Sequence, residues 1–214
     1  MSLLTSLICD SAIAIHKAII AHEAEIEGLD RAIGDGDHYL NVKRGAETIA
    51  GMAGTLKLSP PNEALNKIGM KLLSTIGGAA GPLFASFFME MASYIKQCKS
   101  NDLSALETAA AFAAGVQGII HRGKAGLGEK TMLDVLIPAS TTFTLSAAAG
   151  KSTAQICADV RAAADEGLEN TRNLVATKGR AAGLGERAIG HLDAGAKSCQ
   201  VMIDAVCDLI LQAK

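Results

Sequence analysis

Apolar residues recur three and four positions apart along almost the whole chain, and little in it alternates as a half-buried strand must. Val42, Gly45, Ile49, Met52 and Leu56 follow that step, as do Phe84, Phe87, Phe88, Met91 and Ile95. Met202, Val206, Leu209 and Ala213 repeat it, and Leu4, Ile8, Ile15, Ile19 and Ile26 trace a longer first helix. A period near 3.6 gives each segment one stripe to bury, so helix packed on helix is the architecture it permits. Composition points the same way. Half the residues are apolar (49%), but only 3% are aromatic and none is Trp. Alanine, leucine and isoleucine carry that fraction, which favours helices over sheets.

Caps and breakers set the boundaries. Ser104-x-x-Glu107 and Ser152-x-x-Gln155 are capping-box patterns. Pro60 and Pro61 suit a first helical turn, and Pro138 would bend the helix it enters. The spacing predicts eight helices, near 3–27, 38–56, 60–76, 80–97, 103–121, 131–148, 152–177 and 196–213. The expected fold is all-α, an eight-helix antiparallel up-and-down bundle or barrel. With 214 residues and no linker or repeat, one domain over 1–214 is expected.

Several partner classes drop out. Net charge is −2 with no basic block, so no nucleic-acid surface is indicated. No basic segment followed by an apolar run marks a signal peptide. The apolar run Leu83–Ile95 is broken by Glu90 and is too short to span a bilayer. The five cysteines, Cys9, Cys98, Cys157, Cys199 and Cys207, are scattered with no C-x-x-C pair. They read as reduced thiols in a cytoplasmic protein outside any membrane.

Short connections make successive helices antiparallel, so alternate loops fall at one end. The loops after the second, fourth and sixth helices are plain: LKLSP, KSND and GKS. Those after the first, third, fifth and seventh read GLDRAIGDGD, GGAAG, RGKAGLGEK and KGRAAGLGERAIGHLDAG. Most of the 22 glycines lie in or beside these four loops. Glycine-rich backbone, three aspartates and several cations thus converge at one pole.

Asp30, Asp35 and Asp37 stand within eight positions, with Gly34 and Gly36 between them. Carboxylates at that density favour hard cations. An EF-hand would need Glu at the twelfth position, and counting from each aspartate gives Asn41, Ala46 or Thr48. Mg2+ fits better, since it takes few carboxylates and leaves room for phosphate oxygens. The competing reading is a solvated acidic turn with Asp37 as N-cap of the next helix. GGAAGP at 77–82 offers N–H groups at a helix start, an anion site or simply close packing. Arg122, Lys124 and Lys130 could neutralise phosphate or be solvated cations. The loop of about 18 residues carrying Arg180, Glu186, Arg187, His191 and Asp193 is long for a structureless connection. Two motif matches fail on context. Gly118 to Lys124 fits G-x-x-x-x-G-K but is followed by Ala125 and ends a helix, and Gly183-x-Gly185-x-x-Ala188 has no preceding strand. The residues alone indicate a helical bundle holding Mg2+ and a phosphorylated ligand, best a nucleotide.

LDRAIGDGDHYLNVKRG, GGAAGPL, RGKAGLGEKTMLDVLIP and KGRAAGLGERAIGHLDAGA, in that order, resemble the motifs of the nucleotide-binding L subunit of dihydroxyacetone kinase. The resemblance covers essentially the whole chain. It implies an eight-helix barrel capped by ADP or ATP, with Asp30, Asp35 and Asp37 holding two Mg2+ ions. His38, Tyr39, Leu40 and Asn41 would fall on nucleotide-contacting positions, as would Gly78, Ala79, Ala80, Gly123, Thr131 and Met132. Arg180, Asp193, Ala194 and Gly195 would do so from the last loop, and Leu83 and Met132 are apolar enough to flank adenine. It also implies transfer of a phosphoryl group to a ketose held in a separate K subunit. The chain has no room for that ketose domain, so it is expected to be inactive on sugar alone. A phosphotransferase-system M subunit is a further partner in one branch of the family, and a homodimer is compatible with it. The rival function is a nucleotide-sensing regulatory module without transferase activity of its own.

Three positions depart from the family pattern. Tyr39 replaces a glycine and is expected to narrow the approach to the phosphates. Ala80 replaces a serine and removes a donor, and Ala194 replaces a proline and should leave the last loop less rigid. The first two are expected to weaken ADP retention, which tilts the donor toward free ATP.

Overall fold

Nine α-helices are present among the described residues of the computed structural model, which covers 2–98, 100 and 102–213. They are α1 Leu3–Ala21, α2 Glu23–Ile33, α3 His38–Leu56, α4 Pro61–Thr75 and α5 Ala80–Gln97. After them come α6 Ala105–Gly123, α7 Leu133–Ala148, α8 Thr153–Asn170 and α9 Ala194–Gln212. There is no strand among these residues. From α3 onward each helix packs on the next, and α9 closes back onto α1. Both α1 and α2 pack on α3 and α9, so together they form one bent rod and the ring has eight rods.

The predicted helix 3–27 is corrected in two ways. It breaks at His22 (φ −103°, ψ 19°), and it then runs on to Ile33. The chain keeps helical bonding across the break, with His22 N–H donating to the Ala18 carbonyl and Ile26 N–H to the His22 carbonyl. Glu23 and Glu25 lie in the first turn of α2, where the helix dipole favours anions, and the helix takes in residues 28–33, which were expected to be loop. Asp30 sits on the buried stripe Ile26, Asp30, Ile33, and its polarity hides the stripe's period. Because the bend adds no reversal, the four glycine-rich loops still fall at one pole.

Smaller corrections follow. The predicted helix 152–177 ends at Asn170, passes through a 3-10 turn at Thr171–Asn173 and becomes extended at Leu174 (φ −89°, ψ 147°). The long last loop is not structureless, because 3-10 turns span Ala181–Ala188 around a kink at Gly185. Pro61 opens α4, and α7 continues past Pro138. Both capping boxes form, with Ser104 paired to Glu107 and Ser152 to Gln155. Of the loop KSND, Lys99 and Asn101 lie outside the described residues.

The ring interior is filled by one core that includes Ile19, Ile26, Val42, Leu56, Ile68, Phe84, Val116, Leu133, Ala164 and Val201. Glycines let the rods approach closely. A Cβ on Gly69 would lie 2.9 Å from the Ala85 carbonyl oxygen, one on Gly118 2.8 Å from that of Ser86, and one on Gly167 2.2 Å from that of Asp134. Such seams explain how the barrel closes with so few aromatic residues. By length and composition α1 could cross a membrane, but its Cys9, Ala12 and Ile19 are buried within the ring. All five cysteines are free thiols, and only Cys98 is not buried.

Candidate functional site

The acidic loop joins α2 to α3. Asp30 lies in the last turn of α2 and is buried, while Asp35 and Asp37 are exposed. The three carboxylates each place an oxygen within 4.8 Å of the others. Gly34 allows this crowding, because a Cβ there would sit 1.9 Å from Asp30 Oδ1 and 2.7 Å from the Asp30 carbonyl oxygen. Gly36 turns the chain with φ +78°, which few side chains tolerate. Asp37 occupies the N-cap position of α3 but caps nothing, since its backbone is already helical (φ −99°, ψ −13°). Asp30 does the capping instead, its Oδ2 accepting the His38 N–H at 3.0 Å. The N–H groups of Tyr39 and Leu40, second and third in the helix, have no partner within it.

Contacts between loops confirm the convergence at this pole. Arg180 Nε lies 2.6 Å from Asp35 Oδ2, and both side chains are largely open to water (77% and 37%). An exposed pair of this kind contributes about 0–1 kcal/mol, so either partner is readily exchanged for a metal or a phosphate. Desolvation pushes the Asp35 carboxyl up, but Arg180 and hydrogen bonding with Asp37 outweigh it and hold the pKa below the usual aspartate value. His38 Nε2 lies 3.0 Å from Ser198 Oγ at the start of α9, and Ser198 donates its own proton to the Gly195 carbonyl. The network therefore assigns His38 a proton on Nε2. Burial lowers the His38 pKa, against the pull of Asp30 and Asp37. Asn41 lies beside Gly77, Leu83 beside Gly123, and Met132 beside Gly195.

A polar cluster, buried at Lys130, Asp134 and Thr171, supports the last two loops. Asp134 accepts from Gly128 N–H at 2.6 Å and Thr131 N–H at 2.8 Å. Glu129 accepts from Gly126 N–H and from Thr177 Oγ1. Asp193 caps α9 through Ala196 N–H at 2.7 Å, and burial pushes its carboxyl up to about 6. Lys130 is 1% exposed and donates to the carbonyls of Thr171 and His191. Burial lowers its pKa, with Asp193 and Asp134 opposing. The reading of Lys130 as a phosphate-neutralising or solvated cation is thereby corrected. Asp134, Thr171, Glu129 and Ser198 escaped the sequence reading altogether. Thr131-x-x-Asp134 ahead of the apolar run is a capping signal that could have flagged the first.

The other expected positions divide. His38, Leu40, Asn41, Gly78, Ala79, Arg180 and Gly195 lie on the loops and helix starts of this pole, with Leu40, Gly78, Ala79 and Arg180 exposed. Ala80 opens α5 and packs against the main core, as does Leu83, while Gly123 ends α6. Thr131 and Met132 precede α7, and Met132 is buried. Tyr39 corrects the expectation placed on it. Its side chain is 1% exposed and belongs to the core, so it cannot narrow the approach to a phosphate. Its hydroxyl has no hydrogen-bond partner, and burial beside Glu23 and Glu27 pushes the phenol up to about 12. Ala194 is the first residue of α9, and the cap and the Asp193 N–H bond to Thr171 anchor the loop there without a proline.

The residues present fit a divalent cation. Three carboxylates share one small space, their donors are all hard oxygens, and the backbone at Gly34 is pressed against one of them. Asp30, Asp35 and Asp37 would hold it. Gly34→Ala is expected to force Asp30 from its place and weaken Mg2+-dependent ligand binding about tenfold, or 1.4 kcal/mol. Calorimetric titration of the variant measures this, and unchanged affinity would mean that Asp30 is not a ligand.

The comparisons with known proteins agree with this geometry. Residues 32–208 match the DAK2 domain. The chain is 38% identical over 186 residues to the ADP-binding subunit DhaL of the PEP-dependent dihydroxyacetone kinase of Escherichia coli, covering 86% of this chain and 88% of that one. It is 35% identical to the ADP-binding subunit DhaL of the PEP-dependent dihydroxyacetone kinase 2 of Listeria innocua, over 98% of this chain and 100% of that one. Its fold is similar to part of the crystal structure of the C. freundii dihydroxyacetone kinase in complex with AMP-PNP and Mg2+. There the TM-score is 0.74 and identity 24%, over 95% of this chain and 34% of the other.

Proposed function

Because the chain belongs to the DAK2 domain family, we propose that it is the nucleotide-binding subunit of a dihydroxyacetone, or short-chain ketose, kinase. The observation that carries this reading is the carboxylate triad, borne on one of the four glycine-rich loops that gather at one pole of the barrel. Residues 1–214 are read as one nucleotide-binding domain of a cytoplasmic enzyme.

Asp30, Asp35 and Asp37 would hold Mg2+, two ions in this reading, which would neutralise the phosphates of ADP or ATP. The chain's own groups do the rest. The Tyr39 and Leu40 N–H groups at the start of α3, and the backbone of Gly78 and Ala79 before α5, face anionic oxygens. Arg180 exchanges Asp35 for phosphate. Leu83 and Met132 border the base. Phosphoryl transfer needs such positioning and charge neutralisation more than a protein nucleophile. The ketose is carried by a separate K subunit.

The relatives are named as ADP-binding and PEP-dependent. With Tyr39 turned into the core, much of the sequence argument for free ATP falls away. The preferred donor is therefore a phosphotransferase-system M subunit that rephosphorylates retained ADP. The isolated chain is expected to give no turnover of dihydroxyacetone with ATP, and to support it once a K subunit and a donor are added. Identification of co-purified nucleotide and a coupled assay measure both. Turnover by the chain alone would overturn the subunit assignment. Nucleotide binding with no turnover in the complete mixture would favour a regulatory module.

A further inference from the structure

The segment from Thr171 to Asp193 leaves the ring and returns to it, and its two ends meet. Gly190 N–H donates to the Arg172 carbonyl at 2.8 Å, and Arg172 Nη1 donates back to the Gly190 carbonyl at 3.2 Å. Asp193 N–H donates to Thr171 Oγ1 at 3.0 Å, and that hydroxyl donates to the Leu168 carbonyl at 2.7 Å. Lys130 enters this neck from a different loop. Its ammonium donates to the Thr171 carbonyl and the His191 carbonyl, each at 2.5 Å, one on either side of the neck.

Lys130 is 1% exposed and reaches the neck from a left-handed backbone (φ +59°), which residues other than glycine rarely adopt. Beyond the neck the segment is tied once more to the loop of Lys130, where the Thr177 N–H and hydroxyl donate to the Glu129 carbonyl and carboxylate and Lys178 lies 3.6 Å from that carboxylate. Ala176, Ala181 and Ala188 form a small core with Ile33, separate from the main one. Arg180 then extends from this segment to Asp35. The neck, with the Glu129 tether beside it, determines where Arg180 stands, and the neck sets where Asp193 meets α9.

We propose that Lys130 is a positioning residue of the nucleotide site, pinning both ends of the 171–193 segment so that Arg180 is held over the acidic loop and Asp193 at the start of α9. The proposal rests on the nucleotide-binding reading above. A lysine suits the task because its three donors can satisfy two converging carbonyls at once. A methionine would match its length, leave the His191 carbonyl without its donor and leave the Thr171 carbonyl only the longer bond from Leu174 N–H at 3.3 Å.

The test is a double-mutant cycle on the whole chain, with Mg2+ and ADP as the probe. Lys130→Met and Arg180→Gln are each expected to weaken Mg-ADP binding at least tenfold. The double variant should be little weaker than either, because Lys130 acts through Arg180. Amide exchange over 174–189 should quicken at least tenfold in Lys130→Met while α5 and α6 keep their protection, and Lys130→Arg should recover part of both effects. Should Lys130→Met fail to fold, Thr171→Val removes both bonds of the Thr171 hydroxyl, to Asp193 N–H across the neck and to the Leu168 carbonyl, at nearly constant shape and enters the same cycle. Additive losses, unchanged affinity or unchanged exchange over 174–189 would overturn the proposal. If wild-type chain binds no Mg-ADP, the functional reading and the proposal fall together. If it binds and the cycle is additive, only the proposal falls.

Discussion

Asp37→Ala is expected to reduce Mg2+-dependent ADP binding at least a hundredfold, about 2.8 kcal/mol, with helix content unchanged. The two effects separate because Asp37 does no structural work that its position would suggest. It stands at the N-cap of α3, yet its side chain makes no capping bond, and the first N–H of the helix, that of His38, is held by Asp30. Its carboxylate is exposed and shares a space less than 5 Å across with two others. Removing it takes away one hard-oxygen ligand and one unit of like-charge repulsion, and no cap. The metal-free variant should therefore melt no lower than the parent. Asp30→Ala gives the contrasting result, because it removes a ligand and the cap of α3 together. Calorimetry with Mg-ADP beside far-UV circular dichroism distinguishes the two variants. Undiminished binding by Asp37→Ala would remove the acidic loop from the site.

The second large effect is on stability. Tyr39→Gly restores the residue usual in the family motif, and it is expected to destabilise the barrel with little change in nucleotide release. The ring is buried in the main core, so its loss opens a cavity worth about 3–5 kcal/mol. Glycine in the first turn of α3 adds at most about 1 kcal/mol, its cost in a helix interior. For a chain of this size the melting temperature should fall by roughly 10–20 °C. Thermal denaturation measures the first part, and stopped-flow nucleotide dissociation well below the melting point measures the second. Unchanged melting with slower release would mean that the ring stands over the phosphates.

The direction of Tyr39 was within reach of the sequence. Stepping back three positions from Val42 on the stripe Val42, Ala46, Ala53, Leu56 reaches Tyr39, and all five are buried. The glycine usual at this position in the family motif puts no side chain on that stripe, so the motif does not mark the position as core. The ring of rods was legible for a sturdier reason. Loop parity depends on reversals of direction, and the bend at His22 is not one. The capping boxes at Ser104 and Ser152 were legible because each is a purely local arrangement. The roles of Asp30 and Lys130 were not. Asp30 looks like a loop residue until α2 is seen to continue beneath it, and Lys130 looks like a surface cation among its neighbours Lys124 and Arg122. In both cases the deciding partner is distant in sequence or outside the assumed element: His38 for the first, Thr171 and His191 for the second.

The seam between α7 and α8 ties architecture to chemistry through a single residue. The Asp134 carbonyl is where α7 meets Gly167, and the Asp134 carboxylate is what organises the loop carrying Gly128 and Thr131. Effort to make such a barrel more heat-resistant would ordinarily begin by replacing helical glycines with alanine. At Gly167 that remedy would push on the residue that shapes the binding pole. Durability and ligand recognition cannot be tuned separately there, so a designer, or natural drift, has far more freedom at Gly51 and Gly54, where an added methyl meets nothing.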